Sequence, residues 1–211
     1  VLSAGVLLTF VLHQRRRSLP LLDLAVFRNP GLRIAVLTSY LGYGAYTSVM
    51  LLAPFLLQNG LGFSVARVGL LAAIVPTVGG VFSIPAGELT DRFGHRWPRA
   101  AGLALIAAGT LSLAAAGTDW GLADVIPRLA IVGVGQGFLV GPNTSAMLGA
   151  LPGSVGIAGG LLASSRTLAL ATGQALWGGL FAVVVTAGAG VAAALDAAPA
   201  DLLPGFRAAF L

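Results

Sequence analysis

Apolar residues fall in long, predominantly apolar runs in this chain, without the strict alternation of a half-buried strand. The runs are Ile34–Leu57, Val65–Ala86, Ala100–Ala116, Leu122–Leu148 and Ile157–Val185. Each is close to or beyond the roughly 20 residues that a helix needs to cross a bilayer, so each predicts a membrane-crossing helix. Val1–Leu12 is apolar but short, and runs directly into His13-Gln14-Arg15-Arg16-Arg17. A secretory leader carries its positive charge before the apolar stretch, not after it. This segment therefore reads as the tail of a helix that begins earlier. Phe206-Arg207-Ala208-Ala209-Phe210-Leu211 reads as the first turns of another. The expected fold is all-α: a polytopic helical bundle of five complete helices with a partial one at each end. The chain divides into a helix tail at 1–12, a polar linker at 13–33 and a half-bundle at 34–211, expected to be truncated before its last helix is complete.

Composition gives the same answer. Apolar residues are 57% of the 211 and charged residues 9%, with a mean hydropathy of +0.93. Soluble domains carry about 25% charged residues, so this chain has too little polar surface to coat a water-facing globule. Its positive charge comes entirely from 12 arginines, which against 7 acids leave a net +5. The arginines flank apolar runs and are not interleaved with aromatics, so nucleic acid is not an expected partner. Cysteine is absent, which excludes disulfides and thiolate metal sites. The two histidines, His13 and His95, have no ligand partner at metal spacing, and no phosphate-binding G-x-x-x-x-G-K-[ST] occurs. With no Ser–His–Asp set in a water-exposed setting either, the chain is expected to be neither an enzyme nor a holder of metal or cofactor.

The arginines also orient the spans, because cytoplasmic loops retain positive charge. If Val1–Leu12 ends in the cytoplasm, the linker on that side holds Arg15, Arg16, Arg17, Arg28 and Arg33. The next cytoplasmic loop holds Arg92, Arg96 and Arg99, while the outer segments hold only Arg67 and Arg207. The expected placement is the cell membrane, multi-pass, with 13–33 and 87–99 cytoplasmic.

That second loop contains GELTDRFGHR, residues 87–96. Gly87 and Gly94 offer the flexible backbone of a tight turn. Asp91 can satisfy free N–H groups at a helix N-terminus or pair with an arginine. Arg92, Arg96 and Arg99 hold the loop on an anionic membrane face. The spacing Gly87-x-Leu89-x-Asp91-Arg92-x-Gly94-x-Arg96 resembles the loop signature of the major facilitator superfamily, which lies between the second and third helices of each half. The resemblance implies a conformational gate in which Asp91 is the acid, with Arg92 and Arg96 as its basic partners. His95 departs from the pattern, since the family often has a basic residue there. Leu21-Leu22-Asp23-Leu24-Ala25-Val26-Phe27-Arg28-Asn29-Pro30 resembles the linker that precedes the C-terminal half in the fourteen-helix drug:proton antiporter branch. Pro54-Phe55-Leu56-Leu57-Gln58 fits the same branch. On that reading the N-terminal half is missing.

Two arginines, Arg128 and Arg166, fall inside expected helices. A charge at mid-membrane is unfavourable by about 2.5–3.5 kcal/mol on insertion scales, which makes it a functional candidate by default. Arg128 precedes Gly133-Val134-Gly135-Gln136-Gly137, loosely similar to the family's fourth-helix pattern of an arginine followed by a glycine pair, which implies proton coupling. The alternative is an arginine near the outer interface that snorkels to the headgroups. Arg166 either snorkels toward the cytoplasm or meets a cavity. Gln136 and Asn143 are the first polar candidates to line such a cavity, with Tyr40, Tyr43 and Tyr46 as aromatic ones. Gly133, Gly137 and Gly141 recur every fourth residue, the spacing of close helix packing.

The resemblance implies proton-coupled efflux of drugs or other hydrophobic small molecules by alternating access, with protons, the lipid bilayer and the missing half as partners. A metabolite exporter of the same fold and a non-transporting membrane scaffold are the alternatives.

Overall fold

The structure, a computed structural model, describes residues 27–115, 117, 120–151 and 154–189. The expected helix tail at 1–12, most of the 13–33 linker and the Phe206–Leu211 turns lie outside the described residues.

Helix α1 spans Pro30–Phe55. Proline suits a first helical position, where an N–H would have no partner anyway, and the Gly31 N–H donates to Asn29 Oδ1 at 2.9 Å to cap the end. The helix thus starts ahead of Ile34 and takes in the last residues of the expected linker. Beyond Pro54 it widens into a π turn, Leu56–Gly60, closed by the Leu61 N–H on the Leu56 carbonyl at 3.0 Å.

The second pass is two helices, α2 at Val65–Ala72 and α3 at Ile74–Phe93. Pro76 accounts for the break at Ala73: it has no N–H to offer the Ala72 carbonyl, and its ring crowds that group. Helix α3 also corrects the expected loop. It continues through Gly87, Leu89, Asp91 and Arg92 to Phe93, and α4 begins at Arg96. The connection is therefore Gly94 and His95 alone. Gly87 contributes no turn, whereas Gly94 has φ +75°, a left-handed conformation at a helix C-terminus that glycine adopts without strain.

Helix α4, Arg96–Ala114, differs from the expectation of five full spans. Among the described residues, four passes are long and apolar enough to cross a membrane: Pro30–Gly60, Val65–Phe93, Leu122–Ala150 and Val155–Val183. With Arg96 and Arg99 in its first turn, α4 has an uninterrupted apolar stretch shorter than the ~20 residues of a full crossing. Helices α5, Leu122–Ala150, and α6, Val155–Ala189, complete the described bundle.

Helix α5 is central, packing along both α3 and α4, while α6 leans mainly on α1. The α1–α6 seam is held by the Trp177 Nε1–H on the Gly44 carbonyl at 2.8 Å and a Tyr40–Thr172 hydroxyl pair at 2.8 Å. One apolar cluster joins Leu52 and Leu56 to Leu71, Val75, Leu113, Leu129 and Val132; a smaller one at the other end joins Leu32 and Ala35 to Met147. Between them the buried residues turn polar: Ser39, Gln136 and Asn143. Leu37, Leu41, Val81, Ile84, Leu111, Ile131, Leu168 and Leu176 face outward, the reverse of a soluble fold and the arrangement a lipid solvent requires.

Candidate functional site

A cleft of about 340 Å³ opens where the α1–α6 pair meets α3 and α5. Such a volume lies in the range of small-molecule sites. Tyr43 and Tyr46 come from α1, Gly79, Gly80 and Ser83 from α3, Gln136 and Gly137 from α5, and Arg166 from α6. Arg166 follows the start of α6 by three turns, ~16 Å along its axis at 1.5 Å per residue. In a hydrocarbon core of ~30 Å that is near the midplane. Of the two alternatives for Arg166, snorkelling toward the cytoplasm or meeting a cavity, the second matches its place: the residue lies deep, and the cleft receives it. Its guanidinium sits over the Tyr43 ring, 5.1 Å from the centroid, and makes no hydrogen bond to any described residue.

Gln136 is 8% exposed, and neither its Oε1 nor its Nε2 has a hydrogen-bond partner. Helices bury polar side chains only where something satisfies them, so an amide with both ends open beside a cavity is the residue to explain. The small residues around it have a separate cause. A Cβ added at Gly137 would stand 2.7 Å from the Gly79 carbonyl oxygen, and one at Gly133 would stand 2.9 Å from that of Val75. At Gly141 it would meet only the Ser83 carbonyl oxygen, at 4.0 Å, so the tight approach of α5 to α3 has ended by that turn.

Asn143 lies outside the cleft. It is 2% exposed and ties α5 to α1: Nδ2 donates to the Ala35 carbonyl and to Ser39 Oγ, both at 3.1 Å. Its Oδ1 accepts from Arg99 Nη1 across a long 3.5 Å, and Arg99 Nε donates to the His95 carbonyl at 3.0 Å. In the sequence Arg99 reads only as a loop charge, and Ser39 carries no signal of its own. That tie joins residues far apart in sequence, and no local spacing announces it.

Arg128 is placed well away from Arg166. It lies half-buried in the second turn of α5, over the Trp120 ring at 4.1 Å from the centroid, with Nη1 donating to the Asp124 carbonyl. Asp124 in turn accepts from the Gly121 N–H at 2.9 Å. An arginine stacked on tryptophan beside a helix N-terminus is typical of an interfacial anchor. Arg128→Gln is expected to lower thermal stability by about 1 kcal/mol, the scale of one partly desolvated cation–π contact. It should leave ligand affinity at the cleft unchanged, and melting and binding measurements on one preparation check both.

At the Gly94 turn, Asp91, Arg92 and Arg96 are exposed. Arg92 lies in the last turn of α3, where positive charge complements the helix dipole. Asp91 shares that end, where the dipole disfavours it, and makes no ion pair or hydrogen bond among the described residues. The structure thus brings Asp91, Arg92 and Arg96 to one turn without pairing them.

A bundle of membrane-crossing helices, an outward apolar surface and a cleft at mid-depth define a multi-pass membrane protein. This chain belongs to the major facilitator superfamily, whose sequence pattern matches residues 6–174. It is similar to multidrug resistance protein Stp of Mycobacterium tuberculosis, at 29% identity over 84% of this chain and 33% of that protein. It is also similar to the drug efflux pump JefA of the same organism, at 30% identity over 97% of this chain and 39% of that one. The riboflavin transporter RibZ of Clostridioides difficile matches at 26% identity over 86% of this chain and 40% of its own length. The chain spans between a third and two fifths of each of these relatives.

Proposed function

We propose that this chain forms one half of a transporter of the fourteen-helix branch, which exports hydrophobic small molecules by alternating access coupled to protons. The carrying observation is the cleft itself: Gln136 unpartnered and Arg166 free of hydrogen bonds at the depth where such transporters bind cargo. A scaffold has no use for an unsatisfied amide beside a cavity. The relatives named for drug efflux support the cargo class. The riboflavin transporter supports a second reading, a dedicated metabolite carrier with the same architecture.

In this reading the Gly94 turn is a cytoplasmic gate. Asp91 stands unpaired at a negative helix end, and a basic group from the rest of the protein relieves it in one of the two access states. That differential contact gives the gate its bias, since only an interaction that differs between states shifts their populations. Among the described residues no carboxylate lines the cleft, and in this reading the proton carrier is not one of its lining residues.

The test uses the full-length protein in cells stripped of their main efflux pumps, with cationic, neutral and anionic fluorescent dyes. Exclusion of at least one dye is expected to collapse with a protonophore. Asp91→Asn is expected to slow that exclusion by about tenfold or more, the effect of losing ~1.4 kcal/mol of gate bias. Normal membrane levels with no dye excluded would sink the drug-export reading in favour of the dedicated carrier.

A further inference from the structure

The cleft carries charge of one sign. Among the described residues, Arg166 is its one charged lining residue, and no carboxylate lines it. The described acids Glu88, Asp91 and Asp124 belong to the ends of α3 and α5, away from it. The guanidinium covers the Tyr43 ring with its centre 5.1 Å from the centroid, and its N–H fork is bonded to no described residue. Such a fork matches a carboxylate in a bidentate pair. Gln136, more than nine-tenths buried, has both an open donor and an open acceptor, the complement of an edge that also carries both, as a lactam or imide does. Tyr46 adds a second aromatic ring, and Gly80, with open space where a Cβ would stand, leaves bare backbone on the α3 side. Two tyrosine rings and bare backbone favour a flat ring system.

We propose that this cleft is a subsite for planar aromatic acids. The acid pairs with Arg166, the ring system lies against the tyrosines and the bare Gly80 backbone, and a polar ring edge is read by Gln136. A cation of the same shape is disfavoured, because repulsion from Arg166 is poorly screened in a low-dielectric site. The cargo assignment rests on the transport reading above, whereas binding does not.

The probes are 5-carboxyfluorescein as the planar acid and ethidium as the planar cation, with the purified full-length protein in lipid nanodiscs and fluorescence polarisation as readout. Wild type is expected to bind carboxyfluorescein about tenfold more tightly than ethidium, and Arg166→Gln to erase that preference through loss of carboxyfluorescein affinity. Arg166→Lys should weaken carboxyfluorescein binding, though less than Arg166→Gln, since the charge persists while the bidentate geometry and the stacking on Tyr43 are lost. Gln136→Glu places a carboxylate in the same cleft through a different helix and is expected to expel carboxyfluorescein; it serves if Arg166→Gln is not monodisperse. Equal binding of the two dyes, or unchanged carboxyfluorescein affinity in a folded Arg166→Gln or Gln136→Glu, overturns the subsite. Flux of both dyes in reconstituted vesicles separates the two readings. Carboxyfluorescein bound but not moved keeps the subsite and removes its transport role, and ethidium moved with carboxyfluorescein neither bound nor moved does the reverse.

Discussion

Gly135→Val is expected to destabilise the bundle by about 3 kcal/mol or more, at the upper end of overpacking in a closely packed core. A Cβ at Gly135 would stand 2.7 Å from the Ile106 nitrogen and 2.8 Å from the Gly102 carbonyl oxygen. Gly102 is held reciprocally, its added Cβ falling 2.8 Å from the Leu139 nitrogen. These neighbours are backbone, so no side-chain rotation relieves the clash, and α4 must move off α5. Intrinsic helix propensity acts the other way, because glycine is the weaker helix former by about 0.5–1 kcal/mol against alanine. Gly149→Ala, with nothing within 4 Å of its added Cβ, therefore serves as the control and is expected to be neutral or stabilising. Tryptophan-fluorescence melting of the full-length protein in detergent reads both. A Gly135→Val protein that melts with wild type would contradict the described α4–α5 spacing.

Asn143→Leu is expected to cost about 2 kcal/mol. Interhelical hydrogen bonds in membrane bundles average about 0.6 kcal/mol, whereas stranding a buried polar partner costs about 1–3 kcal/mol. Leucine fills the volume but strands Ser39 and leaves Arg99 Nη1 without its acceptor, with Nε still held by the His95 carbonyl. Ser39→Ala alone should be milder, since its hydroxyl is one of two acceptors for Nδ2. The double variant should fall short of the sum of the singles by about 0.5 kcal/mol or more, as expected for residues in direct contact. Strict additivity would show that the α1–α5 tie contributes nothing as a unit.

Much of the fold was legible because a lipid solvent leaves a coarse mark. An apolar run near 20 residues announces a crossing whatever its neighbours do, and the runs starting at Ile34, Val65, Leu122 and Ile157 all fall within described passes. The ends were less legible. Asn29 and Pro30 start α1 by a capping rule that hydropathy does not register, and α3 runs through Glu88, Asp91 and Arg92 because helical backbone tolerates charge once it has left the hydrocarbon. The cleft was legible in its types and not in its membership. Intramembrane charge picked out both Arg128 and Arg166, and only distance separates them: one is stacked on Trp120, the other lies over Tyr43 beside an open amide. Asn143 and Gln136 both lie mid-helix and polar, seven residues apart in the sequence. Which of them found partners depends on the helix each faces, information that no single segment contains.

The glycines along α5 separate the size of the cleft from its chemistry. Where two helices meet backbone to backbone, their distance is set by atoms common to every amino acid, and the side chains nearby have no say in it. Exchanging Tyr43, Tyr46, Gln136 or Arg166 would therefore recast the chemistry of the cleft while the α3–α5 wall keeps its place. One surface can be repainted with the frame behind it left standing.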